Sequence, residues 1–196
     1  MLTAAYRARL QQLWQEGEAH DARHAARADK RLNITPDTGM FLYQLVRARK
    51  AMALLEIGTS NGYSAVWLGL AAQANKGRLR SVDHSAHKTA LASAMLDSFG
   101  LQHTVSLLTG DAFGVLAGCD DESVDMLFLD ADRSRYAGYW PEIARILTPR
   151  GIVVMDNAIS HAEECADFRA AVLATHGYLA ETYEIGKGQF VVLKDL

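Results

Sequence analysis

The sequence predicts an α/β fold: a seven-stranded, mostly parallel sheet with helices on both faces and an antiparallel hairpin at its C-terminal end. Three observations predict it. Apolar runs of strand length recur at 52–57, 79–83, 105–108, 124–129 and 152–155. Helical stretches at 63–74, 85–99, 133–147 and 162–176 alternate with them, the pattern of a parallel sheet covered on both faces. The chain end differs, because 178–185 and 189–194 are joined only by Gly186-Lys187-Gly188. A connection that short permits only an antiparallel pair.

The elements follow in order. Residues 3–30 read as a polar helix with Leu10, Leu13 and Trp14 on one side. Thr35-Pro36-Asp37 starts a second helix, with Thr35 as cap, Pro36 at the first helical position and Asp37 at the positive end of the dipole. Met40, Phe41, Leu45 and Ala48 form its apolar stripe. The first strand then runs into Gly58-Thr59-Ser60-Asn61-Gly62, where one glycine turns the chain and the second opens a helix. Gly100 and Gly177 close the second and fourth of the later helices. The whole is one domain over residues 1–196, with 1–35 as an N-terminal helical extension.

Apolar residues make up 49% and charged residues 22% of the 196 residues, an ordinary globular balance. No apolar run reaches the ~18 residues of a membrane span, and the charged, Ala-rich start has no signal-peptide core. A cytoplasmic protein is expected. Cys119 and Cys165 lie far apart and read as reduced thiols. A net charge of −3 argues against a general nucleic-acid binder. Residues 1–50, however, carry nine Lys/Arg against five Asp/Glu, and the rest eleven against eighteen. A basic N-terminal face remains available to a polyanion.

Chemistry concentrates at strand ends, where open α/β sheets bind ligands. Glu56 stands two residues before Gly58, and Ser60 replaces the middle glycine of the dinucleotide fingerprint. A carboxylate there repels pyrophosphate but suits an amino group, which counts against an NAD-dependent oxidoreductase. Asp83 ends the next strand, where an acid accepts from ribose hydroxyls. Asp111, after Gly110, is placed to accept from an adenine amino group. Asp130 and Asp156-Asn157 end two further strands. If those strands are neighbours, about 4.8 Å apart, two carboxylates and an amide oxygen converge as hard ligands for Mg²⁺.

Glu56-Ile-Gly-Thr-Ser-Asn-Gly-Tyr-Ser64, Gly110-Asp-Ala112, Leu127-Phe-Leu-Asp-Ala-Asp132 and Val154-Met-Asp-Asn157 together resemble the cation-dependent class I O-methyltransferases, the family of catechol and caffeoyl-CoA O-methyltransferases. The resemblance covers about residues 30–196 and includes Asn33-Ile-Thr-Pro-Asp-Thr-Gly39. It implies the Rossmann-like class I methyltransferase fold and a homodimer. It also implies S-adenosylmethionine contacts from Ile34, Glu56, Gly58, Ser60, Ser64, Asp83, His84, Asp111, Ala112 and Asp130, and a divalent cation, Mg²⁺, on Asp130, Asp156 and Asn157. The activity implied is methyl transfer to a metal-bound hydroxyl of a small catechol-like or phenolic acceptor, with Asp130 and Arg133 as catalytic residues. Methylation of a tRNA hydroxyuridine and a non-catalytic cofactor-binding role are the alternatives.

Three positions depart from the family pattern. Arg133 stands where the family places lysine, so a different group must take the proton. Residues 158–162 lack the Trp/Gly-rich insertion that covers the acceptor in many relatives. Gly186-Lys187-Gly188 replaces their Gly-Asp-Gly turn. Of the remaining residues, His20 and His24 read as a solvated helix face, and His161 as a possible extra ligand or base. Tyr139 and Trp140 can wall the acceptor pocket, with core packing expected for at least one.

Overall fold

The computed structural model describes residues 2–195. Its sheet contains β1 (Ala53–Ile57), β2 (Arg78–Asp83), β3 (Val105–Thr109), β4 (Val124–Leu129), β5 (Leu147–Met155), β6 (Tyr178–Tyr183) and β7 (Gln189–Lys194). Their spatial order is β3-β2-β1-β4-β5-β7-β6. The first five strands run parallel, and β7 lies antiparallel between β5 and β6. The last strand thus docks on β5 with Phe190 and Val192 buried, while β6 becomes an edge that leaves Leu179 and Tyr183 exposed.

The helices are α1 (Ala4–Asp21), α2 (Pro36–Arg49), α3 (Tyr63–Asn75), α4 (Ala86–Asp97), α5 (Ala112–Ala117), α6 (Tyr136–Ile146) and α7 (Ala166–Leu173). Side chains of each inner strand alternate between two cores. Leu54, Met126, Phe128 and Val154 join α2, α3 and α4 on one face. Leu55, Leu127, Leu129 and Val153 join α6 and α7 on the other. Helix α3 is buried from Tyr63 through Ala72, because the sheet covers one side and α2 another; this is why its sequence is apolar nearly all round. Thr35 caps α2 as expected, accepting from the Thr38 amide at 3.2 Å.

Four elements differ from expectation, the fifth strand by beginning at Leu147 instead of residue 152. The first helix stops at Asp21 instead of continuing to residue 30, since the Asp21 carboxylate accepts the Arg31 and Leu32 amides at 2.7 and 2.8 Å and folds the chain back. The last helix starts at Ala166, not residue 162. The amides of Ala158, Ile159 and Ser160 are taken by the carbonyls of Lys187 and Gly188, at 2.9 to 3.2 Å, and so do not enter a helix. Helix α5, with six residues, is too short to show a period in sequence. No helix among the described residues is long and apolar enough to cross a membrane.

Candidate active site

Strands β1 and β4 are neighbours, and the chain leaves them toward opposite faces of the sheet. A crevice therefore opens beyond their carboxyl ends. Ile57, Leu129 and Met155 lie level across β1, β4 and β5, so the next residues, Gly58, Asp130 and Asp156, emerge side by side. The Asp130 amide donates to the Ile57 carbonyl at 2.9 Å, and the Asp156 amide to the Leu129 carbonyl at 3.1 Å. Gly58 has φ +106°, and a Cβ there would fall 2.1 Å from the Asp130 carbonyl oxygen. Only glycine fits both conditions. The resulting cleft, about 670 Å³, is lined among others by Gly58, Ser60, Asp83, Asp111, Asp130 and Arg133.

One end of the cleft carries acceptors suited to a nucleoside. Each Asp83 carboxylate oxygen accepts a backbone amide, from Ser60 at 2.8 Å and from Ser85 at 2.9 Å, which fixes the carboxylate and leaves lone pairs free on both oxygens. Ser60 holds a left-handed φ of 48° and donates its hydroxyl to the Arg31 carbonyl. That bond draws the segment after α1 over the cleft, where Arg27, Ala28, Lys30 and Leu32 form one wall. Asp111 caps α5 through the Gly114 amide and pairs with Arg135 at 2.9 Å. The amide first, and then Arg135, hold its carboxyl below the usual carboxylate range. His84 and Ala112 also line the cleft.

Ile34, Glu56 and Ser64 lie beneath the cleft instead of lining it. Glu56 is fully buried and accepts the Ser81 hydroxyl, which in turn meets Thr59 at 2.6 Å. Burial pushes its carboxyl up to about 7, against the pull of the Ser64 and Ser81 hydroxyls. Its second oxygen has no hydrogen-bond partner.

Asp130 lines the cleft as well, and beside it Asp156 and Asn157 are buried outside the lining. Asn157, at a left-handed φ of 67°, donates its amide to Asp130 at 3.1 Å and to Asp156 at 3.2 Å. Burial raises both carboxyls; the neighbouring Asp156 charge adds to the effect at Asp130, which reaches about 8. Buried Gln189 also donates to Asp156. These residues fit a divalent cation. Two carboxylates share one amide, and a half-turn of that amide replaces its nitrogen with oxygen, giving three hard oxygen donors. No group of three or more His, Cys, Asp or Glu side chains converges among the described residues, so a third donor beside the two carboxylates would have to be the asparagine.

Arg133 sits in this wall but is not free. Its side chain is 6% exposed, and its Nε and Nη2 both donate to one oxygen of Glu164 at 2.9 Å. Tyr139 lines the cleft beneath Arg135, whose Cζ lies 5.4 Å from the ring centroid. Trp140 packs in the core on Phe168 and Tyr178 and donates to Thr175. His161 faces Ser160. His20 and His24 form a stacked pair, with ring centroids 4.0 Å apart. Sequence reading missed Glu164, Arg135, Ser81 and Gln189. Only Gln189, a polar residue opening an apolar strand, carried a local signal.

A doubly wound sheet of this order, ended by an antiparallel pair and with its cleft at the β1/β4 switch point, is the Rossmann-like class I methyltransferase fold. The family model described as O-methyltransferase matches residues 7–173, and the chain belongs to that family. It is 34% identical over 131 residues to a catechol O-methyltransferase of Niastella koreensis, covering 65% of this chain and 59% of that relative; the match thus spans less than two thirds of the relative's length. An O-methyltransferase of Bacillus cereus, solved in complex with SAH, superposes with a TM-score of 0.78 at 23% identity, covering 95% of this chain and 90% of that one. TomG of Streptomyces achromogenes, an O-methyltransferase involved in tomaymycin synthesis and solved with SAM, superposes at 0.77 with 24% identity, covering 99% and 91%.

Proposed function

We propose that this chain moves the methyl group of S-adenosylmethionine to a hydroxyl of a small catechol-like or phenolic acceptor held on a divalent cation, Mg²⁺ being the expected metal. The observation that carries this reading is the cluster of Asp130, Asp156 and Asn157, which meets through Asp130 the cleft that Asp83 and Asp111 also line. The name of the Niastella relative and the ligands of the two solved structures support it. The remaining lone pairs of Asp83 accept the ribose hydroxyls. Asp111 accepts the adenine amino group, exchanging part of its contact with Arg135. The unpartnered oxygen of Glu56 suits the ammonium of the methionine part. Asp130, bonded to Asn157, is the cluster's member that faces the cleft. A divalent cation in the cluster supplies Lewis acidity, lowering the pKa of the acceptor hydroxyl. Arg133 does not take the proton, because a guanidinium keeps its own; with Glu164 it braces the wall.

The test is transfer of labelled methyl from S-adenosylmethionine to catechols and phenols, with Mg²⁺ and after exhaustive chelation. Turnover that needs the cation is expected, and full turnover after chelation overturns the reading. A second reading, methylation of a hydroxyl on tRNA, draws on Arg27 and Lys30 at the cleft wall. RNA turnover with a steep salt dependence would favour it.

A further inference from the structure

We propose that residues 22–32 form a strap closed over the cofactor cleft, and that Asp21, which fastens it, is the positioning residue that governs cofactor exchange. The inference rests on the reading of the cleft as an S-adenosylmethionine site and adds a device that opens and shuts it.

The strap follows α1 and leads toward α2 with one short turn of 3-10 helix, Arg27–Asp29. None of its residues is buried, and none joins either core, although Leu10 before it and Ile34 after it do. The contacts that hold it down are polar. The two oxygens of Asp21 accept the amides of Arg31 and Leu32 at 2.7 and 2.8 Å. His20 Nε2 donates to the Asp29 carbonyl at 2.9 Å, and Lys88 Nζ donates to the Lys30 carbonyl. Just beyond Leu32 the chain is wedged against α1, where a Cβ on Gly17 would fall 2.4 Å from Asn33 Nδ2.

Asp21 serves the strap and not its own helix. It is the last residue of α1, where a negative charge opposes the helix dipole. Its tie holds Leu32 at a left-handed φ of 52°, a conformation that a residue with a side chain avoids, so the closed strap is bent against local preference. From this tie a chain of hydrogen bonds leads into the cleft. The Arg31 carbonyl accepts the Ser60 hydroxyl at 2.8 Å, and the Ser60 amide donates to Asp83 at 2.8 Å. Arg27, Ala28, Lys30 and Leu32 line the same cleft as Asp83 and His84. Leu32 is 38% exposed, and a ligand that fills the cleft covers it, which favours the closed strap. Opening gives up polar contacts that water replaces, and no core packing. The strap is therefore the part of the cleft wall that yields when the cofactor passes.

The test uses the full chain, Asp21→Ala and Asp21→Asn with SAH alone, and reads two quantities. One is the release of radiolabelled SAH in a chase with unlabelled SAH. The other is trypsin cleavage after Arg23, Arg27, Lys30 and Arg31, mapped by mass spectrometry with and without SAH. In the wild type, SAH should slow these cleavages about tenfold or more, because the bound ligand holds the strap shut. Asp21→Ala should release SAH about tenfold faster or more, as expected for lost charge-assisted hydrogen bonds, and its strap should be cut in the presence of SAH. Asp21→Asn, which keeps one acceptor oxygen, should fall between. Wild-type cleavage that is equally fast with and without SAH overturns the strap while leaving the cofactor reading standing, and needs no variant. Release from Asp21→Ala at the wild-type rate, or cleavage spread throughout residues 36–196 of that variant, overturns the role of Asp21. A wild type that binds no SAH overturns the function reading and this inference together.

Discussion

Two backbone amides, from Ser60 and Ser85, converge on the carboxylate of Asp83, so its removal costs more than a ligand contact. Asp83→Ala should weaken SAH binding by ten- to a hundredfold, since charge-assisted hydrogen bonds contribute roughly 1.5–3 kcal/mol each. The Ser60 turn loses its anchor as well. Calorimetry giving unchanged affinity would remove Asp83 from the cofactor site. Asp156 is linked to Asp130 through Asn157 and also accepts from Gln189. Asp156→Ala should abolish cation-dependent turnover and the rise in melting temperature on adding Mg²⁺, while SAH still binds. A Mg²⁺-induced shift equal to that of the wild type would count against the cluster. Both acids were legible in the sequence, because Asp83 ends one strand and Asp156 directly follows another. The fate of Arg133 was not, since its partner Glu164 lies 31 positions away in a stretch that reads as helix.

Among the elements, the β6–β7 turn and residues 157–165 depend on each other. Three interstrand amides hold them together, and Gly188 approaches Ile159 too closely for any side chain. Gly188→Ala should force these segments apart and lower stability by about 1–3 kcal/mol through backbone strain and contact. It should also weaken Mg²⁺ binding, since Asn157 shifts with its neighbours. Urea midpoints and Mg²⁺ titrations of the variant check both, and a variant matching the wild type in each would show that the turn does not position the cluster. The sequence placed the turn by its two glycines. It did not show what the turn packs against, because that contact pairs residues about 30 positions apart. The sequence also reads 162–165 as helix, whereas the helix begins at Ala166.

Over the whole molecule, stability should depend on pH through Glu56. Burial raises its carboxyl from 4.5 to about 7 in the fold, so the folded state holds a proton there that the unfolded chain has released. This contribution is fully present below about 4.5 and is lost as pH rises through about 7. It is on the order of 3 kcal/mol for a group buried this deeply. Glu56→Gln removes the titration and keeps an acceptor for Ser81. Urea denaturation between pH 5 and pH 8, without cofactor, should therefore show a smaller decline in the variant than in the wild type. Parallel curves would mean that Glu56 stays ionised in the fold.

By itself the sequence determined the strand–helix alternation, the closing antiparallel pair, the glycine turn at the first strand end and the acidic residues ending the later strands. Each of these is written in periodicity or in a few adjacent residues, where local backbone preference and amphipathic burial act. Only the tertiary structure decided which strand ends are neighbours, so that Asp130 and Asp156 share one amide, and that β7 lies between β5 and β6. It alone buried Glu56 under the cleft, tied Arg133 to Glu164 and tied Asp21 to the amides of Arg31 and Leu32. Those outcomes depend on which distant groups meet and how much water remains between them, and neither is encoded at any single stretch of the chain.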